Sequence, residues 1–318
     1  NQPPQVLDAY VSYHFSDKLI VTGGKHAWTG TSRYAAPSTL SALGTDINFS
    51  ATPALNIHDD LLRKLSIAVR GQLNKLDYRI AFSKPFVFES QALSEAAVFV
   101  DNPTELNISG YFKYQFLDKE SLNSAFSPWT YLGSKEVFNV GAGWTYQGQA
   151  TQSLAVEGDT LNHQMRSFGV DIFYDKSFGK NAWTFYIVYL NHDLGPGFVR
   201  YIGANNPASG TVKALTLNGL GNSFPEAGTG QIFFSNIGYL RKFENFALQP
   251  YTLLELADFE ALDDPMLLHE MGINYLLNGH QSKLTLGYKS RPVFVEASGQ
   301  RIVKNRKSMV VLQYQVRF

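Results

Sequence analysis

The stretch Ser308–Phe318, SMVVLQYQVRF, decides how the rest of the chain is read. Counting back by twos from Phe318 gives Val316, Tyr314, Leu312 and Val310, while Arg317, Gln315, Gln313 and Val311 fall between them. A period of two is that of a β-strand, whose successive side chains point to opposite faces. One face of this strand is apolar and the other mostly polar.

The alternation recurs from one end of the chain to the other. In LDAYVSYHF, Leu7, Ala9, Val11, Tyr13 and Phe15 share one face, with Asp8, Tyr10, Ser12 and His14 on the other. KLSIAVRGQL sets Leu65, Ile67, Val69 and Leu73 against Ser66, Arg70 and Gln72, and LDYRIAFS sets Leu76, Tyr78, Ile80 and Phe82 against Asp77, Arg79 and Ser83. Segments such as NISGYFKYQF, RSFGVDIFYDK, AWTFYIVYLNH and ALQPYTLLELADF continue it, for about thirteen strands in all. Each is near the 9–11 residues that a tilted strand needs to cross a bilayer, about twice the usual soluble strand.

The connectors alternate too. Short turns (SDK, NK, FGKN, EN, NGHQ) follow every second strand, apart from a longer segment at 117–134, and long segments follow the others at 28–62, 84–105, 148–165, 193–230 and 291–305. Aromatic residues sit near strand ends, as at Tyr13, Phe15, Phe82, Phe116, Tyr146, Trp183 and Phe318, where a lipid–water boundary would place a girdle. The pattern predicts an all-β chain, a transmembrane antiparallel up-and-down β-barrel forming one domain over residues 1–318. Soluble sandwiches and lipocalin-like barrels share the alternation but lack both the strand length and the loop asymmetry.

Composition narrows the function classes. The 27 basic and 27 acidic residues cancel, so no net field favours nucleic acid. There is no cysteine, which excludes disulfides and thiolate metal sites and suits an oxidising compartment. No apolar run reaches the length of a membrane helix. Scattered His163, His192 and His269 form no metal-binding spacing, and YLNHDLG carries Leu194 where an outer-membrane phospholipase needs its serine nucleophile. We expect no enzyme activity, no metal and no cofactor.

Parity adds an expectation about the barrel as a whole. Barrels of this kind have an even strand number with both ends on the same side. Residues 6–15 run directly into a tight turn, so a partner strand is expected upstream of Asn1.

Several stretches in order, GGKHAWTGTSRYAAPS, RKLSIAVRGQLNKLDYRIAFSKPF, YQFLDKES, WTFYIVYLNHDLGPGFVRYIGANNP and the terminal KSMVVLQYQVRF, resemble the porin-like outer-membrane proteins of Bacteroidota. These are similar to the phosphate-selective porin O/P family. The resemblance implies a complete barrel of 16 strands (14 is the alternative), often a homotrimer, in the Gram-negative outer membrane.

If Val316, Tyr314 and their equivalents face lipid, charged residues of the other face line a pore. The pore-lining candidates are Arg70, Arg79, Lys113, Asp171, Glu255, Glu270, Lys283 and Lys289. Acids are interleaved with bases, which departs from the basic ladder of a phosphate-selective pore. Lys25, Arg33, Arg63, Arg200 and Arg291 are assigned to the mouth or loops, where they would give a mild anion preference, contact lipopolysaccharide phosphates or simply be solvated. The lightly charged segment WTGTSRYAAPSTLSALGTDINFS would suit a loop folded into the barrel, or one packed on a neighbouring subunit. Two functions follow: a porin for passive diffusion of small hydrophilic solutes, and a loop-plugged accessory barrel in a larger envelope complex.

Overall fold

The structure, a computed structural model, describes residues 6–27, 30–47, 50–53, 62–88, 90–202 and 224–317. Its strands are β1 (Ala9–Ser16), β2 (Leu19–Ala27), β3 (Arg63–Leu73), β4 (Leu76–Ser83), β5 (Val98–Phe99), β6 (Asn107–Gln115), β7 (Val137–Leu154) and β8 (Thr160–Phe178). The second half adds β9 (Asn181–Asp193), β10 (Val199–Ile202), β11 (Phe224–Gly228), β12 (Gly230–Lys242), β13 (Ala247–Phe259), β14 (Met266–Asn278), β15 (Ser282–Ala297) and β16 (Gln300–Val316). Thirteen of them form one antiparallel path, β1-β2-β3-β4-β6-β7-β8-β9-β12-β13-β14-β15-β16, in which each strand pairs with the next long one in the chain. The short β5 adds to β7, and β10 and β11 form a separate hairpin. The up-and-down meander and the strand number agree with the sequence reading. β1 and β16 are the two edges of the sheet and are not paired with each other.

Alternation sorts side chains onto the two faces. One cross-strand row reads Ala142, Val170, Tyr189, Phe233, Leu256 and Leu267 from β7 to β14, and all six point outward. The neighbouring row, Gly141, Asp171, Val188, Phe234, Glu255 and Leu268, is on the other face, and its five side chains are buried. Outward apolar side chains stay exposed along the sheet: Ile172, Ile187, Leu254, Met271 and Leu286 are joined at the β16 edge by Leu312, 68% exposed. Together they form a band far broader than the apolar patches of a water-soluble monomer.

Two expected loops are strand instead. The 148–165 and 291–305 segments continue as the β7–β8 and β15–β16 ribbons, because ladder pairing runs on as far as Leu154↔Thr160 and Ala297↔Gln300. The second ribbon closes on Ser298 and Gly299, both at positive φ (53° and 79°), the backbone a tight two-residue hairpin requires. Of the 193–230 loop, residues 203–223 lie outside the described residues, as does Phe318.

The inner face encloses chain. Residues 30–47 and 50–53 touch strands from β6 to β16, which requires the sheet to curl around them. Two glycines directly opposite each other, Gly143 and Gly169, flatten the wall where this segment lies closest. A Cβ on Gly169 would stand 2.5 Å from the Thr31 carbonyl oxygen, and one on Gly143 2.8 Å from it. Gly169→Val is therefore expected to leave the strand ladder intact and lift the inner segment. Hydrogen exchange at residues 30–47 should accelerate while β13–β15 stay protected; unchanged protection of 30–47 would refute the close fit.

Candidate functional site

The interior is filled by two segments that enter from opposite ends. Residues 30–47 come after β2, at the long-loop end, and descend almost to the tight turns. There Lys283 Nζ donates to the Ala42 carbonyl (2.7 Å), Asn274 Nδ2 to that of Leu43 (2.9 Å) and Gln315 Nε2 to that of Leu40 (2.9 Å). The segment then climbs again: the Thr45 N–H and hydroxyl donate to Glu270, Asp46 pairs with Lys289 at 3.3 Å, His192 donates to the Ser50 carbonyl and Arg200 to that of Pro53. Small residues and short 3₁₀ turns at Arg33–Ala35 and Thr39–Ser41 let the chain fold back within so narrow a space.

The second segment, 117–134, follows β6 from the tight-turn end. The two meet backbone to backbone: Ser38 N–H donates to the Ser127 carbonyl (2.9 Å), and Ser127 N–H to that of Ala36 (2.8 Å). Beside this contact Tyr34 is stacked between Trp129 and Tyr186, with ring centroids 4.2 and 4.0 Å away. All three rings are at most 1% exposed, so the middle of the lumen is packed like a protein core.

One ion pair joins the two segments. Arg33 donates both terminal nitrogens to the Glu120 carboxylate, at 2.7 and 2.6 Å, and also reaches the Pro128 carbonyl, while its guanidinium lies 3.7 Å over the Phe173 ring. Glu120 accepts further bonds from Lys113 Nζ (2.8 Å), Asn139 Nδ2 (2.6 Å) and the Tyr131 hydroxyl. The backbone N–H of Arg33 donates to Asp171 at 2.6 Å, and the Tyr111 and Tyr186 hydroxyls donate to the same carboxylate. Asp77 lies 3.6 Å from Arg79 and 3.9 Å from Lys113. Three cations (Arg33, Arg79, Lys113) thus meet three carboxylates (Asp77, Glu120, Asp171). Such a charge-balanced, hydrogen-bonded cluster tolerates burial that a lone ion would not.

Burial alone would push the Glu120 carboxyl up, but Arg33 and Lys113 outweigh it and hold it well below the usual carboxylate range. A depressed folded-state value contributes stability above the unfolded carboxylate range. That contribution is lost only as pH falls from there through the folded value. The junction is therefore expected to hold at neutral and mildly acidic pH.

The sequence-predicted lining residues all lie on the inner face. Of Arg79, Lys113, Asp171, Glu255, Glu270 and Lys283, none is more than 7% exposed; Arg70 and Lys289 are half-buried. Lys113, Asp171, Glu270, Lys283 and Lys289 hold the inserted segments. The basic mouth does not form as expected. Arg33 sits deep in the lumen, drawn there by Glu120 and Asp171, and Arg200 and Arg291 are buried. Lys25 donates to the Val6 carbonyl and Arg63 pairs with Asp8 at 3.1 Å, near the ends of their strands. Sequence reasoning missed Glu120, Tyr34, Trp129 and Tyr186. The available signal was the misplaced length of 117–134 and a tryptophan within that polar connector.

Neither protein-family models nor the curated proteins give a match to this chain.

Arg33→Ala leaves Glu120 with one fewer cation in a buried site, and loss of one partner from such a pair typically costs about 3–5 kcal/mol. In chemical unfolding in micelles, Arg33→Ala and Glu120→Ala should each destabilise strongly, and the double variant should cost clearly less than their sum. Additive losses would show that the pair does not join the segments.

Proposed function

We propose that the chain is a Gram-negative outer-membrane β-barrel whose lumen is held shut by its own inserted segments, acting as a plugged accessory barrel in an envelope assembly. The observation that carries this is the Arg33–Glu120 pair, which ties a segment from one end of the barrel to a segment from the other inside the lumen. The outward apolar band supports the membrane setting: an Arg or Lys facing lipid at mid-depth costs about 2–4 kcal/mol, and the charges here are kept off that band.

The second reading is a passive porin of the phosphate-selective porin O/P type. One observation favours it: Arg70 lies directly opposite Arg79 on the inner face of β3 and β4, and Arg70 is only half-buried. Two adjacent guanidiniums beside the plug would draw small anions along that wall.

Planar-bilayer conductance separates the readings. The plugged barrel predicts no stable steps from the native protein and ohmic steps from Arg33→Ala/Glu120→Ala, whose two segments are no longer tied. Steady, anion-selective conductance from the native protein would reject the plug and favour the porin.

A further inference from the structure

A cavity of about 690 Å³ opens on the outward side of the wall at the long-loop end, and nothing in the plugged lumen uses it. A β-bulge makes it. Between the pairs Gln147↔Met165 and Thr151↔His163, β7 advances four residues while β8 advances two, and Gln149 takes φ 45°. Two of the residues at this irregularity, Gly148 and Gln149, line the cavity together with Asn162, His163 and Gln164 of the facing strand.

Its position follows from the outward rows. The apolar row through Val170 and Tyr189 is followed toward the long-loop end by Trp144, Phe168, Asn191, Gln231 and Asp258, and then by Tyr146, Arg166 and Asp193. The polarity of the wall therefore changes within two rows, and the cavity begins at the second. Its walls carry three carboxylates (Glu105, Asp193, Glu260), three carboxamides (Gln149, Asn162, Gln164) and the ring of Tyr146, 41% exposed. The two loop glycines beside it are pinned by those acids: Gly195 N–H donates to Asp193, and Gly197 N–H to Glu260.

We infer that this cavity is a glycan-binding site. Its volume falls within the roughly 300–1,000 Å³ of small-ligand sites. Carboxylates accept from hydroxyls, carboxamides both accept and donate, and an exposed aromatic ring offers a flat apolar face, so the set matches a polyhydroxylated ring rather than a lipid tail. Three carboxylates line the opening against one flanking cation, Arg166, so the net charge disfavours a phosphate as the recognised part. Two sources supply such a ligand at that height: the core sugars of an outer-leaflet glycolipid, and a free oligosaccharide. The height relative to a membrane rests on the barrel reading; the sugar chemistry does not.

The folded protein in micelles should be titrated with chitotriose, maltotriose, lipid-free core oligosaccharide and intact lipopolysaccharide, using saturation-transfer NMR and calorimetry. We expect at least one glycan to bind, with saturation transfer at its ring protons. Asp193→Asn/Glu260→Gln should weaken binding by about tenfold or more, as loss of hydrogen bonds to charged groups does. Gln164→Ala, at a partly exposed side chain that makes no hydrogen bond among the described residues, should weaken it without disturbing the fold. Binding of core sugar in free and lipid-borne form assigns the site to the glycolipid, and binding of the trisaccharides assigns it to free glycan; either supports the inference. No glycan binding by folded protein, binding unaffected by both variants, or binding of lipid A alone would overturn it. A chain that binds sugar but fails to enter bilayers would leave the site standing and remove the barrel reading, and the reverse result would do the opposite.

Discussion

The buried pair between Arg33 and Glu120 is the constraint on which the interior depends. Either ion alone inside the sheet would be costly, and each is supplied by a segment that has no regular structure of its own beyond single turns. Together they fix where the two segments meet, and the wall completes the arrangement: Lys113 and Asn139 hold Glu120, while Asp171 holds the backbone beside Arg33. The stacked Tyr34, Trp129 and Tyr186 then fill the space alongside, where no water could replace their contacts.

The inner wall has two chemistries because it meets two kinds of neighbour. Along β3, β4 and β6 it is polar, with Gln72, Asp77, Arg79, Ser109 and Lys113 directed at the charged junction and the backbone around it. Along β9, β12 and β13 it carries Val188, Leu190, Ile232, Phe234 and Leu253, which pack with Leu43, Trp129 and Tyr34 into one apolar cluster. The first sector binds the segments by directed bonds and the second by burial. Displacing the inserted segments therefore means breaking both at once.

This division explains what was legible in the sequence. The outward face was legible everywhere, since Val310, Leu312 and Tyr314 alternate as plainly as Phe168, Val170 and Ile172, and strand order follows from alternating turn lengths. The lining residues were legible as a face, because Lys113, Asp171 and Glu270 fall out of phase with their apolar neighbours. Their partners were not. Period-two reasoning treats the inside as water, so in AWTFYIVYLNH it has no account of inward Tyr186, Val188 and Leu190, which are apolar because they meet another part of the chain. Arg33 was misplaced for a related reason: a basic residue in a loop reads as solvated unless its carboxylate is known, and Glu120 lies 87 residues away. The ribbons beyond Gln147 and Arg291 were lost because their turn residues resemble loop composition.

A chain without cysteine lends itself to the decisive measurement. Ala36→Cys and Ser127→Cys place one thiol on each inserted segment, at residues whose backbones are hydrogen-bonded to each other. In protein folded into lipid vesicles, mild oxidation should join them in high yield, and the cross-linked barrel should keep its strand protection. Failure to cross-link in a correctly folded barrel would mean that the two segments do not meet in the lumen, and would contradict the account at its centre.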